Sequence, residues 1–114
     1  MVNCTFCKII RREAHGRIVY EDEAAVAIED IHPQAPVHLL ILPREHIESL
    51  TGMKPEDEAL IGRLFRIGKE LAHKQGLESR GYRMVINNGV GAGQSVFHLH
   101  VHLLGGRVFH WPPG

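Results

Sequence analysis

A chain of 114 residues is long enough for one compact core, and we expect residues 1–114 to form a single domain. Thirteen basic and thirteen acidic residues leave no net formal charge, and without a basic block a nucleic-acid partner is not expected. No apolar run approaches the roughly 20 residues that cross a bilayer, and the N-terminus lacks the apolar core of a signal peptide, so we expect a cytoplasmic protein with no membrane partner.

The predicted elements in chain order are a short helix, three strands, one long helix and two further strands. A short helical turn is predicted over residues 6–12. Alternating or apolar runs bounded by turn residues predict strands over residues 17–21, 24–28, 37–42, 82–87 and 97–104. The long helix begins near Pro55, carries apolar residues every three or four positions, and stops at Gly76. This order predicts an α+β fold with a mainly antiparallel, five-stranded sheet.

The last predicted strand carries a histidine at every second position. His98, His100 and His102 alternate with apolar residues. Because successive side chains of a strand point to opposite faces, the three imidazoles would line one face, about 6.6 Å apart, and the apolar residues would bury the other. The alternative is a strand whose solvent face happens to hold histidines. A single metal bound by all three is disfavoured, since the outer two would lie about 13 Å apart.

A glycine-rich run, Gly89 to Ser95, lies directly before the histidines. Glycine permits positive φ and close backbone approach, and successive N–H groups in such a turn form an anion-binding nest. An ordinary glycine-rich hairpin loop would have the same sequence. Beside the histidines, however, the run favours a phosphate site, where a neutral imidazole attacks phosphorus and forms a phospho-histidine that water then hydrolyses.

The two cysteines of the sequence, Cys4 and Cys7, are separated by two residues. This spacing suits metal binding or redox chemistry better than a structural disulfide. A redox pair is less favoured, because the strand before it and the helix after it that such a motif requires are poorly supported. Reduced cysteines without a metal are the remaining alternative.

Over nearly its whole length the chain resembles the histidine-triad (HIT) family, and within it the Hint branch. The family's motif of three histidines alternating with apolar residues matches residues 98–104. The chain is also similar to the Hint pattern at residues 35–38, at Asn87, and at residues 93–95, 105–107 and 110–114. The resemblance implies a homodimer whose two sheets join into one. It also implies hydrolysis of the P–N bond of purine nucleoside phosphoramidates, with AMP-like or GMP-like nucleotides as ligands, and of related adenylates.

The resemblance assigns roles to individual residues. His100 would become nucleotidylated, His102 would contact the phosphate or leaving group, and His38 would complete the histidine cluster. The resemblance also implies substrate contacts, with Asp30 at the ribose and Ile28 and Ile31 at the base. Around the phosphate it implies Asn87, Gly93, Gln94 and Ser95, with Ser95 also at the leaving group. Trp111 would lie near the site of the partner subunit. The structural alternatives are turn caps for Asp30 and Asn87, core positions for His38, Ile28 and Ile31, and a dimer anchor for Trp111. Surface positions are expected for His15, His32, His73 and His110.

Some relatives in this family share a further pattern, a zinc site that Cys4, Cys7, His46 and His98 match. Two thiolates and two imidazoles make a closed tetrahedral site, so one structural zinc per chain is expected, pinning the N-terminal segment to the histidine strand. Two other functions compete with the hydrolase: a non-catalytic nucleotide-binding regulator that uses the same pocket, and a metalloenzyme in which zinc activates water. The cysteines argue against the metalloenzyme, because they would leave no open coordination position.

Overall fold

A computed structural model describes residues 3–114; the first two residues of the expected domain lie outside this range. The helices and strands are α1 (Thr5–Ile10), β1 (Ile18–Glu21), β2 (Ala25–Glu29), β3 (Val37–Pro43), α2 (Glu58–Lys74), β4 (Tyr82–Val85) and β5 (Val101–Gly105). Single 3-10 turns lie at Leu50–Gly52, Pro55–Asp57 and Val90–Ala92. The strands pair antiparallel in the order β1-β2-β3-β5-β4, which confirms the predicted α+β fold.

The two faces of the sheet are covered by different helices. The apolar stripe of α2, including Leu64, Ile67 and Leu71, packs on one face against the apolar residues that alternate with the histidines. Phe6 and Ile9 of α1 pack on the opposite face with residues of β2 and β3. The histidines that follow the glycine-rich run therefore lie on the face that α1 covers. Within residues 3–114 no helix is long and apolar enough to cross a membrane.

Strand β5 is shorter than predicted and begins only at Val101. In the register with β3, Ile41 lies opposite Val101, so an extension would place Leu99 opposite Pro43, which has no N–H to donate. The Leu99 N–H donates instead to the Ile47 carbonyl at 2.6 Å, in the loop after β3. His98 and His100 therefore precede the ladder, in a segment held by loop contacts.

The β1–β2 turn is organised around one carboxylate, Asp22. Its Oδ1 accepts the backbone N–H groups of Ala24 and Ala25 at 2.8 Å each, and its Oδ2 accepts the Tyr20 hydroxyl at 2.7 Å and Arg63 of α2 at 3.1 Å. Burial alone would raise the pKa of Asp22, but these donors outweigh it and hold the pKa well below its usual range. The turn is thereby tied to the long helix.

We expect Asp22→Ala to lower the free energy of unfolding by about 3 kcal/mol, because four donors lose a charged acceptor. Denaturant unfolding monitored by circular dichroism measures this loss. Glu23→Ala is the matched control: Glu23 bonds the same Arg63 at 2.7 Å, but its side chain is 78% exposed, so the loss should stay below about 1 kcal/mol. Equal losses for the two variants would contradict the assignment.

Candidate active site

A cavity of about 270 Å³ opens on the face of the sheet that α1 covers. It is enclosed by α1, the loop after β2 and the segment that leads into β5. Six residues predicted for the site line it together: Ile28, Asp30, Ile31, Ser95, His100 and His102. His38 lies behind His102 on β3, while Asn87, Gly93, Gln94 and Trp111 lie away from the cavity walls.

A chain of hydrogen bonds fixes the protons of His38 and His102. The backbone N–H of Gln34 donates to His38 Nδ1 at 3.0 Å, which places the His38 proton on Nε2. That nitrogen lies 2.9 Å from His102 Nδ1 and 3.3 Å from an Asp30 carboxylate oxygen. His102 Nδ1 accepts this proton in a hydrogen bond, so the His102 ring carries its own proton on Nε2.

His100 has the opposite tautomer. Its Nδ1 lies 2.7 Å from the His98 carbonyl, an acceptor, so Nδ1 carries the proton and Nε2 keeps its lone pair. The Phe6 ring meets the buried imidazole edge-on, at 5.0 Å between centroids, and the His102 ring lies 4.9 Å away. The site thus places the His100 ring, whose Nε2 has a free lone pair, beside the His102 ring, whose Nε2–H is free to donate.

The electrostatic environment keeps these rings neutral at pH 7. Burial lowers the pKa of His100, and burial with smaller contributions from His100 and His38 lowers the pKa of His102 to about 4. Burial also lowers the pKa of His38, although the Asp30 carboxylate opposes the shift. A neutral imidazole is the nucleophilic form, so the site is in its reactive protonation state at neutral pH.

The glycine-rich loop differs from the anion-binding nest of free N–H groups that its sequence predicts. Gly89 and Gly93 adopt φ of 88° and 92°, as the sequence suggested, but the amides of Ala92, Gly93 and Gln94 donate to carbonyls of the loop itself. The buried Gln94 side chain accepts from the Gly89 N–H at 2.8 Å and donates to the carbonyls of Glu48 and Val96. It braces the loop, and because the Gln94 backbone N–H also donates to the Gly89 carbonyl, Gln94 has no free donor for the substrate contact predicted from the sequence.

Asn87 lies beside Gly93, and Trp111 lies in the tail. A Cβ added to Gly93 would come within 3.9 Å of Asn87 Nδ2, so the two predicted phosphate residues are neighbours. Trp111 is 81% exposed. The tail before it is held beside β4, because the guanidinium groups of Arg83 and Arg107 lie over the Phe109 ring, at 5.3 and 4.3 Å from its centroid.

The four predicted metal ligands converge on one point. His98 Nδ1 lies 3.4 Å from Cys4 Sγ and 3.5 Å from Cys7 Sγ, and His46 Nδ1 lies 3.3 Å from Cys7 Sγ and 3.2 Å from His98 Nδ1. Tetrahedral zinc at its usual bond lengths requires about 3.6 Å between sulfur and nitrogen ligands and about 3.3 Å between nitrogens. The donor set and its spacing therefore fit a zinc ion.

Local structure around the cluster supports the same conclusion. Cys4 caps α1, where its Sγ accepts the Cys7 N–H at 3.3 Å. His98 Nε2 donates to the Pro43 carbonyl at 2.7 Å, which frees Nδ1 as a ligand atom and orients the ring. Burial lowers the pKa of His98 to about 4, so the ring is held in the neutral form that binds metals.

A second group of metal-type ligands is Asp30, His38 and His102. Their atoms are already joined by the hydrogen-bond chain through the His38 Nε2 proton. That proton occupies the position a metal would need, so this group is better described as the hydrogen-bond support of His102.

Sequence reasoning missed several residues of the cavity. Thr5, Phe6 and Ile9 of α1 form one wall, and His15 and His32, expected only as surface residues, stand at its rim. The apolar spacing of Phe6 and Ile9 marked a buried helix face, but no local pattern indicated what that face enclosed. The rim histidines come from separate loops, and their convergence depends on the tertiary structure.

Comparison with known proteins defines the class. A family model described as "Scavenger mRNA decapping enzyme C-term binding" matches residues 3–108. The fold superposes on a HIT family hydrolase from Legionella pneumophila with a TM-score of 0.96 and 46% identity, over 98% of this chain and all of that one. A HIT family hydrolase from Clostridium thermocellum gives 0.93 and 45% over 96% of each chain.

Relatives in sequence agree. An uncharacterised HIT-like protein of Synechocystis is 52% identical over 96% of this chain and 95% of its own length. A 14 kDa zinc-binding protein of Zea mays is 49% identical over 96% of this chain and 86% of its own length. The chain belongs to the histidine-triad (HIT) family.

Proposed function

We propose that this protein is a nucleotide-binding hydrolase of the Hint type, which cleaves the P–N bond of purine nucleoside phosphoramidates and related adenylates. The observation that carries the proposal is the tautomer of His100. Its Nδ1 proton is committed to the His98 carbonyl, so the free lone pair is on Nε2, in a ring that lines the cavity. The HIT hydrolases with similar structures support the same reaction class.

In the first step, His100 Nε2 attacks phosphorus and the P–N bond to the leaving amine breaks. The nucleotide becomes bonded to His100, and the departing nitrogen takes up a proton. The His102 ring lies 4.9 Å from the His100 ring, and its Nε2–H would donate a hydrogen bond to the phosphoryl oxygen or the leaving nitrogen. In the second step, water attacks phosphorus and gives up a proton to solvent, the bond to His100 Nε2 breaks with its electron pair returning to the imidazole, and a nucleoside monophosphate leaves. His38 is a positioning residue, because it acts through His102.

The proposed substrate position uses both ends of the cavity. Asp30 accepts the ribose hydroxyls, since each carboxylate oxygen has a further lone pair beyond its present hydrogen bond. Ile28 and Ile31 hold the base. Ser95 and Val96 line the cavity, and their N–H groups, which lie outside the internal bonds of the loop, would face the phosphate together with the Ser95 hydroxyl. Asn87 would support this end, while Gly93 and Gln94 shape the loop that carries Ser95.

We further propose that one zinc per chain is held by Cys4, Cys7, His46 and His98 as a structural ion. Four ligands from the chain complete a tetrahedral shell, so such a zinc supplies rigidity rather than an activated water. The fit of the ligand spacing supports this, as does the relative from Zea mays named as a zinc-binding protein.

We also propose a cytoplasmic homodimer. The sheet ends at β4, whose outer side is unpaired within residues 3–114 and can receive the same strand of a second copy. The Arg83 side chain of β4 donates to the His110 carbonyl at 3.0 Å, so the tail follows this edge. Trp111 would then lie beside the site of the second copy.

The covalent step is tested by trapping the intermediate. Enzyme mixed with adenosine 5′-phosphoramidate and quenched within milliseconds in alkaline denaturant should show a mass increase of one adenylyl group, and peptide mapping should place it on His100. The quench is alkaline because a phosphorus bond to histidine is labile in acid. Steady turnover with no adduct at any quench time, or an adduct on another residue, would contradict the mechanism.

A further inference from the structure

Two histidines at the mouth of the cavity have no part in the proposed reaction. His15 lies in the loop between α1 and β1, and His32 lies in the loop after β2. Both side chains are exposed, yet both line the same cavity as His100. Two separate segments thus bring an imidazole to one opening.

Backbone contacts hold these two segments in place. The Glu29 N–H donates to the Arg17 carbonyl at 3.0 Å, which sets the end of β2 beside the residues that follow His15. The His32 N–H donates to Asp30 Oδ1 at 2.8 Å. Gly16 lies against Ile9, since an added Cβ would come within 2.7 Å of that side chain. The rim is therefore built on the same contacts that orient Asp30.

The proposed substrate position places the nucleobase at this rim. With the phosphate at His100 and the ribose at Asp30, the base extends away from the reacting phosphorus, past Ile28 and Ile31. Ile28 is buried in the cavity floor, whereas Ile31 is 82% exposed at the opening. A base lying between them has its outer edge at the opening, beside the two imidazoles.

We propose that His15 and His32 bind the outer edge of the nucleobase and set the preference for purines over pyrimidines. This inference rests on the proposed function. An imidazole is flat, so it stacks on a base, and its ring nitrogens can form hydrogen bonds with the base edge. The isoleucines supply apolar area but no directional contact, whereas the two imidazoles at the opening supply ring nitrogens.

Ring size makes the contact selective. A purine is bonded to ribose through its five-membered ring, so its six-membered ring extends further towards the opening. A pyrimidine is bonded through its single ring and ends short of the rim. The rim histidines therefore gain contacts with a purine that a pyrimidine does not reach.

The test is calorimetric binding of AMP and of UMP, which requires no turnover. Relative to the unsubstituted protein, the double variant His15→Ala, His32→Ala should bind AMP about tenfold more weakly, with UMP affinity nearly unchanged. His15→Phe, His32→Phe keeps two flat rings that can stack on a purine but has no nitrogen at the edge, and should lose the part of the preference for AMP that comes from hydrogen bonds. His73→Ala removes an exposed histidine of α2 that pairs with Glu78, away from the cavity, and is the matched control.

The outcomes separate this inference from the proposed function. The inference is overturned if the ratio of AMP affinity to UMP affinity is unchanged in the double alanine variant. If that ratio is unchanged in the double phenylalanine variant, the histidine nitrogens do not recognise the base edge. A failure of the protein to hydrolyse phosphoramidates or to form the His100 adduct overturns the reaction, while the affinity ratio still tests the rim. If neither nucleotide binds, both proposals are wrong. Thermal melts confirm that each variant is folded.

Discussion

Replacing His100 with asparagine should lower the turnover of adenosine 5′-phosphoramidate by at least about four orders of magnitude. The amide retains an N–H for the His98 carbonyl but has no lone pair able to attack phosphorus. Because the contacts of base and ribose are untouched, the affinity for AMP should stay within about threefold of the original. Single-turnover kinetics and calorimetric binding measure the two quantities separately.

Covalent catalysis is tested by comparing the change in turnover with the change in AMP affinity. His73→Asn makes the same chemical change on the exposed surface of α2 and should leave both quantities unaltered. If His100→Asn weakens AMP binding as strongly as it slows turnover, His100 binds substrate without acting as the nucleophile. Undiminished turnover would remove His100 from the reaction altogether.

Removing the metal should have the second large effect, on stability. The four proposed ligands come from three segments and meet only in the folded chain, so zinc would bind the native state and not the unfolded one. At a free zinc concentration a thousand times Kd, the contribution is about 4 kcal/mol. Chelation under reducing conditions should therefore lower Tm by roughly 10–20 °C. Differential scanning calorimetry measures the shift, with zinc content followed by atomic absorption.

The control is the same chelation of Cys4→Ser. This variant should contain less zinc and start from a lower Tm, and the chelator should add little further loss. A variant that still holds one zinc per chain would remove Cys4 from the ligand set. Immediate and complete loss of activity in a chelated protein that remains folded would instead assign the metal to the reaction.

Much of the fold was predictable because local patterns coincide with tertiary packing. The apolar spacing after Pro55 predicted α2, and Pro55 itself forms the turn that starts it. The length of β5 was not predictable from its own residues. Its alternation continues back to Phe97, but the ladder stops because the partner strand has Pro43 at the position opposite Leu99. A strand boundary that depends on the partner strand cannot be predicted from the residues of the strand itself.

The residues of the candidate site could be predicted only in part, for a similar reason. The alternating histidines marked the site, and the Cys4 and Cys7 pair with the family resemblance separated His98 from His100. The tautomers required the structure, because the groups that fix them are backbone groups of Gln34, Pro43 and His98. The amides of the glycine-rich run were expected to face a phosphate, but several are used within the loop, which only the hydrogen bonds show.

Helix α1 has a consequence for how the protein responds to its ligands. Its Cys7 is one of the proposed metal ligands and its Phe6 lines the cavity. The centroid of the Phe6 ring lies 6.0 Å from that of His98 and 5.0 Å from that of His100. A shift of α1 would therefore change both the metal cluster and the cavity. Thermodynamic reciprocity then requires that the factor by which zinc changes the affinity for a nucleotide equals the factor by which the nucleotide changes the affinity for zinc. If zinc and nucleotide bind as proposed, the affinity for each would depend on the occupancy of the other through α1.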